Sequence, residues 1–271
     1  MRPGQPGGGR SGDAGGGGAR ALPREGHRLS DSRPEHPAPT GIDVVGIDAD
    51  DTLWHNETYF AEATATFAEI LSPWTPDGED VGARTDATER RNLELFGYGI
   101  KGFTLSLVET AVEVSGGQVS GAAIGKLLDL GKAMLAHPVD LLEGVEAAVE
   151  RLGRHHRLAL ITKGDLIHQE QKIARSGLVD HFERIEVVSE KDEATYAGVL
   201  ARMDVRPEGF CMVGNSVRSD VLPVLALGGH AVHVPYDITW THEQVDHHDA
   251  RFPVLPSLSA FERWLNRERR T

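Results

Sequence analysis

Cysteine, long apolar runs and positive charge are all scarce in this chain, and each scarcity closes off a class of function. There is a single cysteine, Cys211, so no disulfide can form within the chain. Its place in the apolar run Phe210–Val213 suits a small buried hydrophobe. No apolar stretch approaches the roughly 18 residues of a membrane-spanning helix, and no signal-peptide core follows Met1. The expected setting is therefore cytoplasmic, with no membrane partner. Lys and Arg number 28 against 41 Asp and Glu, a formal net charge of −13. Such a balance argues against binding duplex nucleic acid, which requires a basic face. A phosphate can still be held, but only locally, by a metal, a lysine or backbone amides.

The chain opens with a leader, residues 1–40, dominated by Gly, Pro, Arg and Ser. Almost nothing in it can be buried, so disorder is expected there. It is not a P-loop, because no Gly-Lys-Ser/Thr follows its glycines. The informative stretch comes next, DVVGIDADDTLW from Asp43 to Trp54. Its apolar run Val44–Ile47 has the pattern of a strand buried on both faces of a parallel sheet. It leads straight into Asp48, Asp50, Asp51 and Thr52, so the acids stand at a strand's carboxyl end, where open α/β sheets place their ligands. Strand alternation puts Asp48 and Asp50 on one side. Two carboxylates that close repel each other unless a cation or a shared proton intervenes, which suits a magnesium-type site.

Residues 55–142 read as helices: Glu57–Leu71, Asp86–Phe96, Phe103–Val114 and Gly121–Ala136. Within them Gly97–Gly102, GYGIKG, matches a dinucleotide fingerprint in letters only, since an amphipathic helix rather than a strand precedes it. Tyr98 and Lys101 make this glycine-rich joint a candidate substrate contact, beside the simpler reading of a plain loop. Strand and helix then alternate. Strands are expected at Arg157–Ile161, Ile185–Val188, Phe210–Val213 and Ala231–Val234, and helices at Leu142–Leu152, Leu166–Ser176 and Ala194–Met203. The fold class is α/β, a doubly wound, mostly parallel, Rossmann-like core with an inserted helical block. The adjacent pairs His155-His156 and His247-His248 read as surface histidines. His233, Tyr236, Trp240 and His242 read as ordinary packing past the last strand.

With these pieces in order, the chain resembles the haloacid dehalogenase-like (HAD) hydrolase superfamily over about Ile42 to Pro235. Asp48, Asp50 and Thr52 match its DxDxT motif, with Asp51 where most members carry glycine. Leu158–Thr162 is similar to the second motif and Lys191 to the third. The fourth, usually GDxxxxD, reads GNSVRSD, with Asn215 in place of the first acid and Asp220 as the second. The resemblance implies a catalytic core of residues 41–54 and 143–271 and a C1-type helical cap over residues 55–142. It also implies phosphoryl transfer through an aspartyl-phosphate. Asp48 would be the nucleophile and Asp50 the general acid and base, with Thr162 and Lys191 on the phosphoryl oxygens. Lys163 is a neighbouring competitor for that last role. Magnesium would be held by Asp48, the main chain of Asp50, and Asp220 or Asn215, with Asp220 expected to bring the charge. The expected substrate is a small phosphorylated metabolite. Two alternatives remain open: a metal-independent dehalogenase, against which Asp50 counts, and a non-catalytic binding relative, which only Asn215 favours.

Overall fold

The computed structural model describes residues 36–238 and 252–267. The leader and the stretch holding Trp240, His242 and His247-His248 therefore lie outside the described residues, apart from the leader's last few positions. Five parallel strands form one sheet in the order β3-β2-β1-β4-β5. They are β1 (Val44–Ile47), β2 (Arg157–Lys163), β3 (Arg184–Val188), β4 (Phe210–Gly214) and β5 (His230–His233). The sheet is wholly parallel. β1 is central, with Val44 opposite both Arg157 and Phe210. Strand order reverses between β1 and β4, and a crevice opens at their carboxyl ends, as doubly wound sheets require.

Alternation along each strand sends side chains into two separate cores. Val45, Ile47, Leu158, Leu160, Cys211 and Val213 pack on α5 (Val145–Gly153) and α9 (Leu258–Leu265). Val44, Ala159, Ile161, Phe210 and Met212 pack on α7 (Glu193–Arg202) and α8 (Leu222–Ala226). The remaining core helix, α6 (Leu166–Arg175), follows β2. Cys211 is buried, and burial pushes its thiol well above the usual range.

Between β1 and β2 lies the helical insertion: α1 (Glu57–Leu71), α2 (Val81–Phe96), α3 (Ile100–Val114) and α4 (Gly121–Ala136). It has its own core, built on Phe67, Leu71, Phe103, Leu107, Leu127 and Met134. α2 starts five residues before the expected Asp86, because Asp80 caps it by accepting from the Ala83 amide at 3.0 Å. α5 starts at Val145 rather than Leu142, since Gly144 turns the chain with φ +74°. His156, expected at the surface, is buried, with its ring nitrogens against Ile42 O at 2.9 Å and Asn266 Oδ1 at 3.2 Å. Among the described residues no helix is long and apolar enough to cross a membrane.

Candidate active site

β1 ends at Ile47, and the chain bends immediately. Asp51 takes φ +62°, a left-handed value that glycine adopts freely and aspartate tolerates. This accounts for an aspartate where a glycine is usual, and the side chain gains a task. Its carboxylate accepts from the Asn56 amide at 2.9 Å and from the Glu57 amide at 3.1 Å, capping α1 from outside the helix. Burial pushes the Asp51 carboxyl up to about 7, with the charge of Asp50 adding to the effect.

Asp48 and Asp50 share one cavity but not one set of partners. Asp48 accepts from Thr52 Oγ1 at 3.0 Å and from the Lys191 ammonium. Burial pushes its carboxyl above the ordinary range, against the pull of Lys191 and with the repulsion of Asp220 and Asp50. Asp50 lies against α6. Its oxygens accept from Lys172 Nζ at 2.5 Å, Trp54 Nε1 at 2.6 Å and Gln169 Nε2 at 2.8 Å. Burial opposes its ionisation, but the charge and hydrogen bond of Lys172, with those of Gln169 and Trp54, hold its pKa below the usual value.

Gln169 and Lys172 were not singled out from sequence. Only the fold marks them: α6 buries His168, Gln169 and Lys172, along with Ile173, while exposing Leu166 and Ile167. Gln169 also ties Asp50 to β2, reaching Lys163 O at 2.9 Å and Thr162 Oγ1 at 3.3 Å. Lys163, the competitor of Lys191, bonds Ser219 Oγ at 3.1 Å and lies over the Tyr98 ring at 4.5 Å.

Asp220 has two partners of its own. Asp220 is fully buried, and Oδ1 accepts from Lys191 Nζ at 2.7 Å while Oδ2 accepts from the Ser216 amide at 3.0 Å. Burial opposes the charge on Lys191, yet Asp220 and Asp48 hold its pKa well above normal. Asp220, expected to bring its charge to a metal, thus pairs with the lysine. Asn215 is different. Its main-chain oxygen contacts His233 Nε2 at 3.0 Å, while its half-buried side-chain amide faces the cavity with no hydrogen-bond partner among the described residues.

Oxygen donors suited to a hard cation are therefore the Asp48 carboxylate, the Asn215 amide oxygen and the Asp50 main-chain oxygen, which no donor among the described residues reaches. Magnesium fits this set, since it retains waters and needs few protein ligands. No cage of three or more His, Cys, Asp or Glu side chains occurs among the described residues.

The cavity has a volume of about 500 Å³ and is walled by the strand ends on one side and α1, α2 and α3 on the other. Asp48, Asp50, Thr162, Lys191, Asn215, Asp220 and Tyr98 all line it. Lys101 does not. It begins the solvent face of α3, and both Asp165 oxygens hold its ammonium at 2.9 Å. Tyr98 spans from the insertion to the core, donating to Glu190 Oε2 at 2.8 Å.

The family model for haloacid dehalogenase-like hydrolases matches residues 42–228. This chain belongs to the HAD-like hydrolase family. A haloacid dehalogenase-like family hydrolase from Xanthomonas campestris is 43% identical, with a TM-score of 0.73 over 87% of this chain and 96% of that one. A 2-haloacid dehalogenase from Pseudomonas syringae pv. Tomato DC3000 is similar in fold at 20% identity, with a TM-score of 0.56 over 84% of this chain and 99% of that one. So is Bacillus subtilis YfnB in a magnesium-bound form, at 16% identity and a TM-score of 0.60 over 83% and 99%. No curated protein matches the chain. Proteins of this fold thus include dehalogenases, and the reaction must be argued from this chain's own side chains.

Proposed function

We propose that this HAD-like hydrolase is a magnesium-dependent phosphatase that hydrolyses a small phosphorylated metabolite through a phosphoryl ester of Asp48. The observation that carries the reading is the second carboxylate. Asp50 lines the same cavity as Asp48 and is held there by partners of its own, Lys172, Gln169 and Trp54. Halide leaves carbon as an anion and needs no proton, so a dehalogenase has no task for Asp50. An alkoxide leaving from phosphorus does need one.

Asp48 attacks phosphorus while the P–O bond to the alcohol breaks, and Asp50 delivers a proton to the departing oxygen. Asp50 then takes a proton from the water that cleaves the acyl-phosphate, returning Asp48 as a carboxylate and releasing phosphate. The Lys172 contact favours the ionised Asp50 of this second half, so it must loosen in the first. Lys191, held by Asp220, neutralises phosphoryl oxygens, and Thr162 donates its hydroxyl to them. Asp48, the Asp50 main-chain oxygen and Asn215 would hold magnesium, which supplies charge neutralisation and favours the ionised form of Asp48. The helices of residues 55–142 act as a cap, and a cavity of about 500 Å³ beneath them suits a metabolite rather than a macromolecule.

The test is a magnesium titration of p-nitrophenyl phosphate turnover. Chelation should abolish activity, and Asp48→Asn should lower kcat by about a thousandfold or more with an unchanged circular dichroism spectrum. Asn215→Asp should reach half-maximal rate at lower magnesium, because a charged ligand replaces a neutral one. Turnover by Asp48→Asn within about tenfold of the native enzyme would overturn the nucleophile assignment.

A further inference from the structure

The cavity is electrically two-sided. Among the described residues its basic side chains, Lys163, Lys172, Lys191 and His168, all come from the core, and each lysine already has a carboxylate partner: Glu190, Asp50, and Asp48 with Asp220. His168 adds no charge, since burial, helped by Lys172, pushes its pKa down to about 4. The insertion contributes no Lys, Arg or His to the cavity wall. It contributes three acids instead, Glu57 from α1 and Asp86 and Glu89 from α2.

Glu89 stands out among these acids. It is half-buried, lines the cavity and has no hydrogen-bond or ion-pair partner among the described residues. Leaving a carboxyl out of bulk water without a partner costs free energy, and a cation arriving in the cavity offsets it. The insertion also brings aromatic rings to the same cavity. Phe60 and Phe103 meet edge to face with ring centroids 5.0 Å apart, and both line the cavity. Acids and aromatic rings lining one cavity are the chemistry that recognises an organic ammonium. A carboxylate or second phosphate on the same end of a substrate would meet the like charge of these acids.

We propose that Glu89 is a specificity-determining residue, and that the alcohol portion of the substrate carries an ammonium group that Glu89 receives beneath the cap. The inference rests on the phosphatase reading of the same cavity, with the phosphoryl group at the core end and the ammonium at the α2 end. It makes the substrate a zwitterionic phosphomonoester of an amino alcohol, and it disfavours phosphorylated carboxylic acids, nucleotides and bisphosphates.

Phosphonates carry a non-hydrolysable C–P bond, so they test the inference without turnover. Calorimetry with ω-aminoalkyl phosphonates of graded chain length, against alkyl and ω-carboxyalkyl phosphonates of matching length, reads the preference directly. At one length or more the amino compound should bind the native enzyme about tenfold or more tighter than its alkyl counterpart, and the carboxy compound weaker than both. Glu89→Gln should erase the amino preference while leaving alkyl phosphonate affinity within about twofold. Equal or tighter binding of the alkyl or carboxy compounds at every length overturns the inference, as does an amino preference that survives in Glu89→Gln. The phosphatase reading fails separately, through absent p-nitrophenyl phosphate turnover, and the binding comparison still decides the role of Glu89.

Discussion

A carboxyl that burial deprives of solvent writes its own pH dependence into the fold, and Glu89 is the clearest case. Burial, reinforced by the neighbouring charge of Asp86, raises it from 4.5 to about 7. The unfolded chain gives up this proton near the lower value and the folded chain near the higher one. Between them the folded state binds more protons, so its stability falls as pH rises, and above the folded pKa the loss is constant. Glu89→Gln is uncharged throughout. Its melting temperature should exceed that of the native chain at about pH 8, with the gap closing as pH falls below about 4.5. A gap that does not change with pH in thermal melts would contradict this account. Residues of this kind are hard to see in sequence, because Glu89 sits in a charged stretch that reads as a solvated helix face. Asp48, Asp50, Thr162 and Lys191 were legible for the opposite reason: each follows an apolar strand or its loop, where a polar side chain has little to do but meet a ligand. Asp220 was legible as a cavity residue, but its partners were not, since only the folded loop brings the Ser216 amide and Lys191 to its two oxygens.

β1 shows how an element is specified from both faces. Gly46 is its one residue without a side chain, and the strand beside it explains why. A Cβ at this position would lie 2.5 Å from Phe210 Cζ and 2.8 Å from Met212 Sδ. Gly46→Ala should therefore cost about 1–3 kcal/mol by overpacking, and lower the melting temperature by several degrees. Because β1 delivers Asp48 to the cavity, kcat should fall as well. An unchanged melting temperature would mean that the Phe210 ring turns aside freely. Strands were read within two residues at their ends because buried parallel strands are continuous apolar runs. Helix starts were less legible: Asp80, Gly99 and Gly144 set them through capping and backbone turns, which hydrophobic periodicity does not register.

At the scale of the molecule, two cores flank the sheet and a third lies within the helical insertion, and the cavity forms between the sheet's carboxyl edge and that insertion. The doubly wound architecture was legible from the order of apolar runs and polar clusters. The size of the cavity and the polarity of its roof were not, because they depend on which faces of α1, α2 and α3 turn inward. The central claim is chemical: a phosphoryl group passes from substrate to Asp48 before it reaches water. Acid quenching of a reaction with a radiolabelled aryl phosphate tests this most directly, followed by hydroxylamine treatment and peptide mapping. The account predicts magnesium-dependent label on the peptide containing Asp48, released by hydroxylamine as an acyl-phosphate is and absent from Asp48→Asn. Steady turnover with no label on the protein at any quench time, or label mapping to another residue, would contradict it.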